Sequence, residues 1–164
     1  MQEDSGMERS RAALPDDQYL ARVGEVAYSV SYLEWSILGD LPRLADRLPT
    51  TLALKHLEPK TTSGIASAVK SAASEVEDPQ IKNYLVAVYK ALFAVAAVRN
   101  DVLHARPATH PQQGQRLNRA ETKNNTATGK RFWIDDGWFD EAIGTLNENL
   151  SAVTRARPPL PNFR

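Results

Sequence analysis

Arg99, Asn100 and His104 fall within one hexapeptide, Arg99-Asn100-Asp101-Val102-Leu103-His104, and their side chains suit phosphodiester cleavage. An imidazole accepts or donates a proton near neutral pH, and a guanidinium can hold two phosphoryl oxygens in its planar fork. RNA carries its own nucleophile, the 2′-hydroxyl, so a proton carrier and a cation suffice for scission without a metal-bound water. Asn100 precedes His104 by one helical turn, from where it can orient the imidazole or bind a substrate oxygen. On a continuous helix Arg99 and His104 point about 140° apart. They converge on one substrate only if the helix end distorts or a second chain completes the site.

Each residue also has a structural reading. Arg99 lies on the apolar stripe of Ile81, Leu85, Val88, Leu92, Val95 and Leu103, and Glu34 lies mid-stripe on an earlier long helix. A charge on a core-facing stripe is costly unless paired, so a buried Arg99–Glu34 ion pair is expected. Such a pair is compatible with catalysis, because the carboxylate would fix the guanidinium. His104 can instead cap free carbonyls at the helix end, and Asn100 can be a helix-end amide. Asp101 reads as a solvent-facing or salt-bridging residue.

The elements that must position these groups follow from periodicity and punctuation. Residues 1–17 read as a disordered tail, polar and lacking the hydrophobic stretch of a signal peptide. A first helix is expected from about Gln18 to Leu41, limited by Pro42, and a connector broken by prolines follows to Pro59. Thr61-Thr62-Ser63 offer N-caps for a helix to about Val76, and Asp78-Pro79 read as N-cap and first residue of the motif helix. His104 then falls in that helix's final turn, because Pro107 excludes Arg106 from regular helix. Residues 105–135 read as an excursion holding a β-hairpin, with Gln115–Thr122 and Lys130–Asp135 as strands and Asn124-Asn125 near the turn. A last helix runs from Asp136 to about Arg157, and 158–164 form a tail. The expectation is an all-α bundle of four to five helices in a single domain over 18–157, with the hairpin inserted before the last helix.

Six basic residues follow the motif: Arg106, Arg116, Arg119, Lys123, Lys130 and Arg131, opposed only by Glu121. If the hairpin folds beside the helix end, they form a basic lip for RNA, and Trp133 can stack on a base. The alternatives are a solvated charge run and a tryptophan that packs the hairpin onto the helices.

Arg, Asn, three residues and then His near the end of a long apolar helix resembles the motif of the HEPN superfamily. The segment Val23-Gly24-Glu25-Val26-Ala27-Tyr28, leading to Tyr32-Leu33-Glu34-Trp35, resembles the first helix of its bacterial members. Many HEPN domains are metal-independent ribonucleases that dimerise, bringing two Arg and His pairs into one cleft. The resemblance implies catalytic roles for Arg99, Asn100 and His104 and maps onto no other residue; Glu34, Asp101 and Arg106 are the neighbouring candidates for support. It also implies a toxin or phage-defence role, with a cognate inhibitor protein as a partner.

Composition narrows the classes. The 164 residues fit one domain, cysteine is absent, and 20 basic residues balance 20 acidic ones, so any nucleic-acid contact must be local. Disulfide and thiolate-metal sites are excluded. No HExxH, Walker A or GxGxxG pattern appears, and neither a metal nor a cofactor is expected. No apolar run reaches the roughly 20 residues of a membrane span, so a soluble cytoplasmic protein is expected. Because Ala91–Val98 has no polar residue, a homodimer burying the Val86, Phe93, Ala97 side of the motif helix is expected. The rival to the nuclease is a non-catalytic helical dimerisation or protein-interaction module.

Overall fold

A computed structural model describes residues 10–161. Helix α4, Pro79–Leu103, is its axis. Asp78 caps it by accepting hydrogen bonds from the amides of Gln80 (3.0 Å) and Ile81 (3.4 Å), and Pro79 pre-sets its first turn. Ile81, Tyr84, Leu85, Val88, Leu92 and Val95 are fully buried. With a mean hydropathy of 1.5 over an 18-residue window, α4 is apolar enough to cross a membrane by length and composition, but here it is the core helix, packed against α3 (Thr62–Glu75) and α5 (Asp136–Ala156).

Helix α1, Asp17–Asp40, begins where the carboxylate of Asp16 accepts from the Tyr19 amide at 2.9 Å, and it lies against α4 and α5. Two 3₁₀ turns, Leu41–Arg47 and Thr50–Leu52, and the short helix α2, Leu54–Leu57, form the connector. Of the sequence-expected N-terminal tail, residues 1–9 lie outside the described residues. Beyond α5, Pro158 is buried and Leu160 packs on the core, so the chain stays on the domain past Arg157; 162–164 lie outside the described residues.

The expected all-α class is overturned. Of the described residues, 64% are helical and 16% form a three-stranded antiparallel sheet, a mixed and helix-dominated architecture. Strand β1 (Arg106–His110) pairs with β2 (Gly114–Lys123), which pairs with β3 (Thr126–Ile134). The β2–β3 hairpin was legible in the sequence. β1 was not, because it is short, contains Pro107 and occupies an edge, a place where a strand tolerates proline. Asn124 and Asn125, at φ 50° and 59°, make the tight turn that suits the twist of flanking strands.

One side chain fastens sheet to helices. The Tyr19 hydroxyl donates to the Ile134 carbonyl (2.8 Å) and accepts from the Leu117 amide (3.0 Å), with the Tyr19 ring edge-on to Phe139. Leu117 and Ile134 face each other across β2 and β3, so this hydroxyl sets the sheet beside the end of α4.

Candidate functional site at the end of α4

The helix lengths open the site. Only residues 76–78 separate α3 from α4, so the two run antiparallel. α3 has 14 residues and α4 has 25, about 21 Å against 37 Å, so roughly the last three turns of α4 run past the start of α3. Arg99 and Leu103 remain on the core-facing stripe but have lost its cover: Arg99 is exposed and Leu103 is 60% exposed. The uncovered end forms a groove of about 180 Å³ against α1, lined by Val26, Ala27, Val30, Arg99, Val102 and Leu103. A polar cleft of about 160 Å³ adjoins it, where Arg99 meets Glu34, Lys60 and Thr62.

The expected Arg99–Glu34 ion pair is absent. The Glu34 carboxylate accepts from the Thr62 hydroxyl at 2.6 Å, and Arg99 has no hydrogen bond or ion pair among the described residues. The two charges line one cleft without closing on each other. Solvent at the open helix end removes the desolvation cost that would have required a counter-charge.

His104 is the C-cap of α4, with φ −103° and ψ 3°, so the chain leaves helical geometry there. Its backbone amide donates to the carbonyls of Asn100 and Val102, whereas its exposed imidazole has no partner among the described residues. The capping-imidazole reading is therefore not what the structure shows. Half-buried Asn100 makes no side-chain hydrogen bond to His104, and Asp101 accepts from Arg119 at 3.2 Å. Arg99 lines the groove and His104 does not, and no hydrogen bond joins the two among the described residues.

The basic lip is largely used by the fold. Arg116 pairs with Asp16 at 2.9 Å and lies 4.5 Å above the Tyr19 ring. Arg119 is held by Asp101, and Arg131 by the side chain and carbonyl of Asn118. Arg106, Lys123 and Lys130 are exposed, with side chains unpartnered among the described residues. Half-buried Trp133 packs edge-on against His110 at 4.8 Å, and the His110 Nδ1 accepts from the Gln112 amide. Lys60 and Thr62 were missed by the sequence reading. Their position just before and at the start of α3, a helix too short to cover α4, was the available signal.

Among the described residues, no three His, Asp or Glu side chains are grouped to hold a metal ion. Comparison with known proteins returns no matching family model, no matching curated protein and no matching solved structure.

Proposed function

We propose that the protein is a metal-independent endoribonuclease of the HEPN type, with Arg99, Asn100 and His104 as its reacting constellation. The observation that carries this reading is that Arg99 and His104 both stand exposed and unpartnered at one helix end, while the neighbouring Asp101 is occupied by Arg119. Arg116, Arg119 and Arg131, by contrast, are held by Asp16, Asp101 and Asn118.

In this reading the 2′-hydroxyl oxygen attacks the adjacent phosphorus, the bond to the 5′-oxygen breaks, and a cyclic phosphate and a 5′-hydroxyl result. One imidazole takes the hydroxyl proton and another gives a proton to the departing oxygen, while Arg99 holds the charge that grows on the phosphoryl oxygens. Because His104 does not line the groove of its own chain with Arg99, the working enzyme in this reading is a homodimer. Arg106, Lys123 and Lys130 are left to steer RNA, and Lys60 adds a cation beside Arg99. A cytoplasmic toxin or phage-defence effector restrained by an inhibitor protein is the role this reading implies.

The test is cleavage of a mixed RNA pool in EDTA. We expect cyclic or 3′-phosphate ends and no cutting of a 2′-deoxy substrate. His104→Ala removes no hydrogen bond or ion pair found among the described residues, so it should keep its helical signal and lose at least about a hundredfold in rate, the usual worth of a positioned acid or base. Unchanged cutting by folded His104→Ala, or a magnesium requirement in the parent, would falsify the assignment. The interaction-module reading draws on a different observation, the exposed aromatic face of α1.

A further inference from the structure

Two recesses meet at the open end of α4. The apolar groove and the polar cleft share Val30, Ser31 and Arg99, so they form one continuous recess, apolar at one end and charged at the other. At the apolar end Val26, Ala27 and Val30 come from α1, and Val102 and Leu103 from α4. Apolar side chains from two helices on either side of a groove suit a flat ring, which can bury both its faces between them.

The polar end carries hydrogen-bonding groups of both kinds. Glu34 is fixed there by one oxygen: its Oε2 accepts from the buried Thr62 hydroxyl at 2.6 Å, and its Oε1 has no hydrogen bond among the described residues. Lys60 lines the same cleft, its amide donating to the Leu57 carbonyl at 2.9 Å and its ammonium unpartnered among the described residues. Phosphate does not suit this end, because the carboxylate repels it. A neutral ring edge with N–H donors beside a carbonyl does. Guanine has that edge: N1–H and the 2-amino group are adjacent donors, and O6 lies next to them. A carboxylate can accept from both donors while a cation takes the carbonyl. Uracil offers one donor between two carbonyls, and adenine and cytosine offer one amino group beside acceptors, so none of them matches a carboxylate as well.

The aromatic face of α1 borders the same recess. Tyr28, Tyr32 and Trp35 are 74%, 55% and 54% exposed and surround Ser31, which the groove and the cleft share. Bases on either side of one docked in the recess therefore have rings to stack on.

We infer that the α1–α4 recess reads guanine in single-stranded RNA. The base enters between the two helices, Glu34 accepts from N1–H and the 2-amino group, and Lys60 donates to O6. The exposed guanidinium of Arg99, at the junction of groove and cleft, is left for the backbone phosphate. The inference rests on the nuclease reading and deepens it, because it names the base beside the phosphate that Arg99 holds.

Binding tests it apart from cleavage. Fluorescein-labelled tetranucleotides UUGU, UUAU, UUCU and UUUU, built on 2′-deoxyribose, lack the nucleophile and stay intact while their affinities are read by anisotropy. UUGU should bind at least about tenfold more tightly than the other three, the usual worth of a bidentate base contact. Inosine in place of guanine lacks the 2-amino group and should fall between. Glu34→Gln still accepts from Thr62 but turns an amide donor toward the base, so it should bind all four about equally. Ala27→Leu, which fills the apolar end from an exposed helical position, should bring UUGU down to the level of the others. Equal binding of the four by the parent, no binding of UUGU, or a guanine preference that survives in Glu34→Gln overturns the proposal. A guanine preference without cutting of RNA in EDTA leaves this site standing and removes the nuclease; cutting without the preference does the reverse.

Discussion

Arg99 shows how a residue can keep its helical phase and lose its environment. It lies on the stripe that buries Leu92 and Val95, yet it is exposed because α3 starts too late to cover it. Its type and phase were legible in the sequence, as were the lengths of the two helices; that no other element covers the overhang was not, since that depends on how the rest of the chain docks. The consequence is energetic. Glu34→Gln and Arg99→Met should each cost less than about 1 kcal/mol, and their losses should add, because neither removes the counter-charge of a buried ion. Denaturant melts of the two variants and the double variant check this, and a loss above 3 kcal/mol with strong coupling would show the pair closed in solution. Glutamine at position 34 can still accept from the Thr62 hydroxyl, which isolates the charge. The imidazole of His104, which has no hydrogen-bond partner among the described residues, is for the same reason the cleaner probe of activity.

At the level of elements, the legible parts were those whose ends are fixed by local chemistry. Asp16, Thr61, Asp78 and Asp135 each cap a helix through a side-chain oxygen, and all four helices begin within a residue or two of where those residues put them. The paired asparagines likewise located the β2–β3 turn. What stayed hidden was β1, and with it the sheet, because a strand's partner is a long-range fact. The helix-to-sheet joint was hidden for the same reason: nothing near Tyr19 in the sequence announces that its hydroxyl meets Leu117 and Ile134. Tyr19→Phe keeps the ring against Phe139 but deprives a carbonyl and an amide of their partner. We expect a loss of about 1–3 kcal/mol and faster hydrogen exchange at Leu117. A variant as stable as the parent, with Leu117 still protected, would show that the strands close on themselves without the hydroxyl.

At the scale of the whole molecule, the end opposite the candidate site is closed by a polar knot. The fully buried Tyr84 donates to Asp40 at 2.8 Å, and Arg157 donates to the same carboxylate oxygen at 2.6 Å. These residues come from α4, the end of α1 and the residue just past α5, so the knot ties the bundle's three longest helices at one end while the other end stays open. Asp40 was not a candidate in the sequence, since a carboxylate at a helix end before Pro42 reads as solvated. Burial, followed by the charge and hydrogen bond of Asp40, pushes the Tyr84 phenol far above its ordinary range, and burial also raises Tyr19. The sign follows from linkage. A phenol raised in the folded state contributes stability that is fully present below its unfolded value, near pH 10, and that fades as pH rises above it because the unfolded chain releases the proton first. Stability should therefore fall by roughly 1.4 kcal/mol per pH unit above pH 10 on account of Tyr84. Followed by phenolate absorbance, two of the five tyrosines should ionise only as the helical signal collapses, and Tyr84→Phe should flatten the alkaline slope. If all five ionise while the helices remain intact, the phenol of Tyr84 reaches water in the native state. The knot would then not be the fixed end against which the open groove of Arg99 is held.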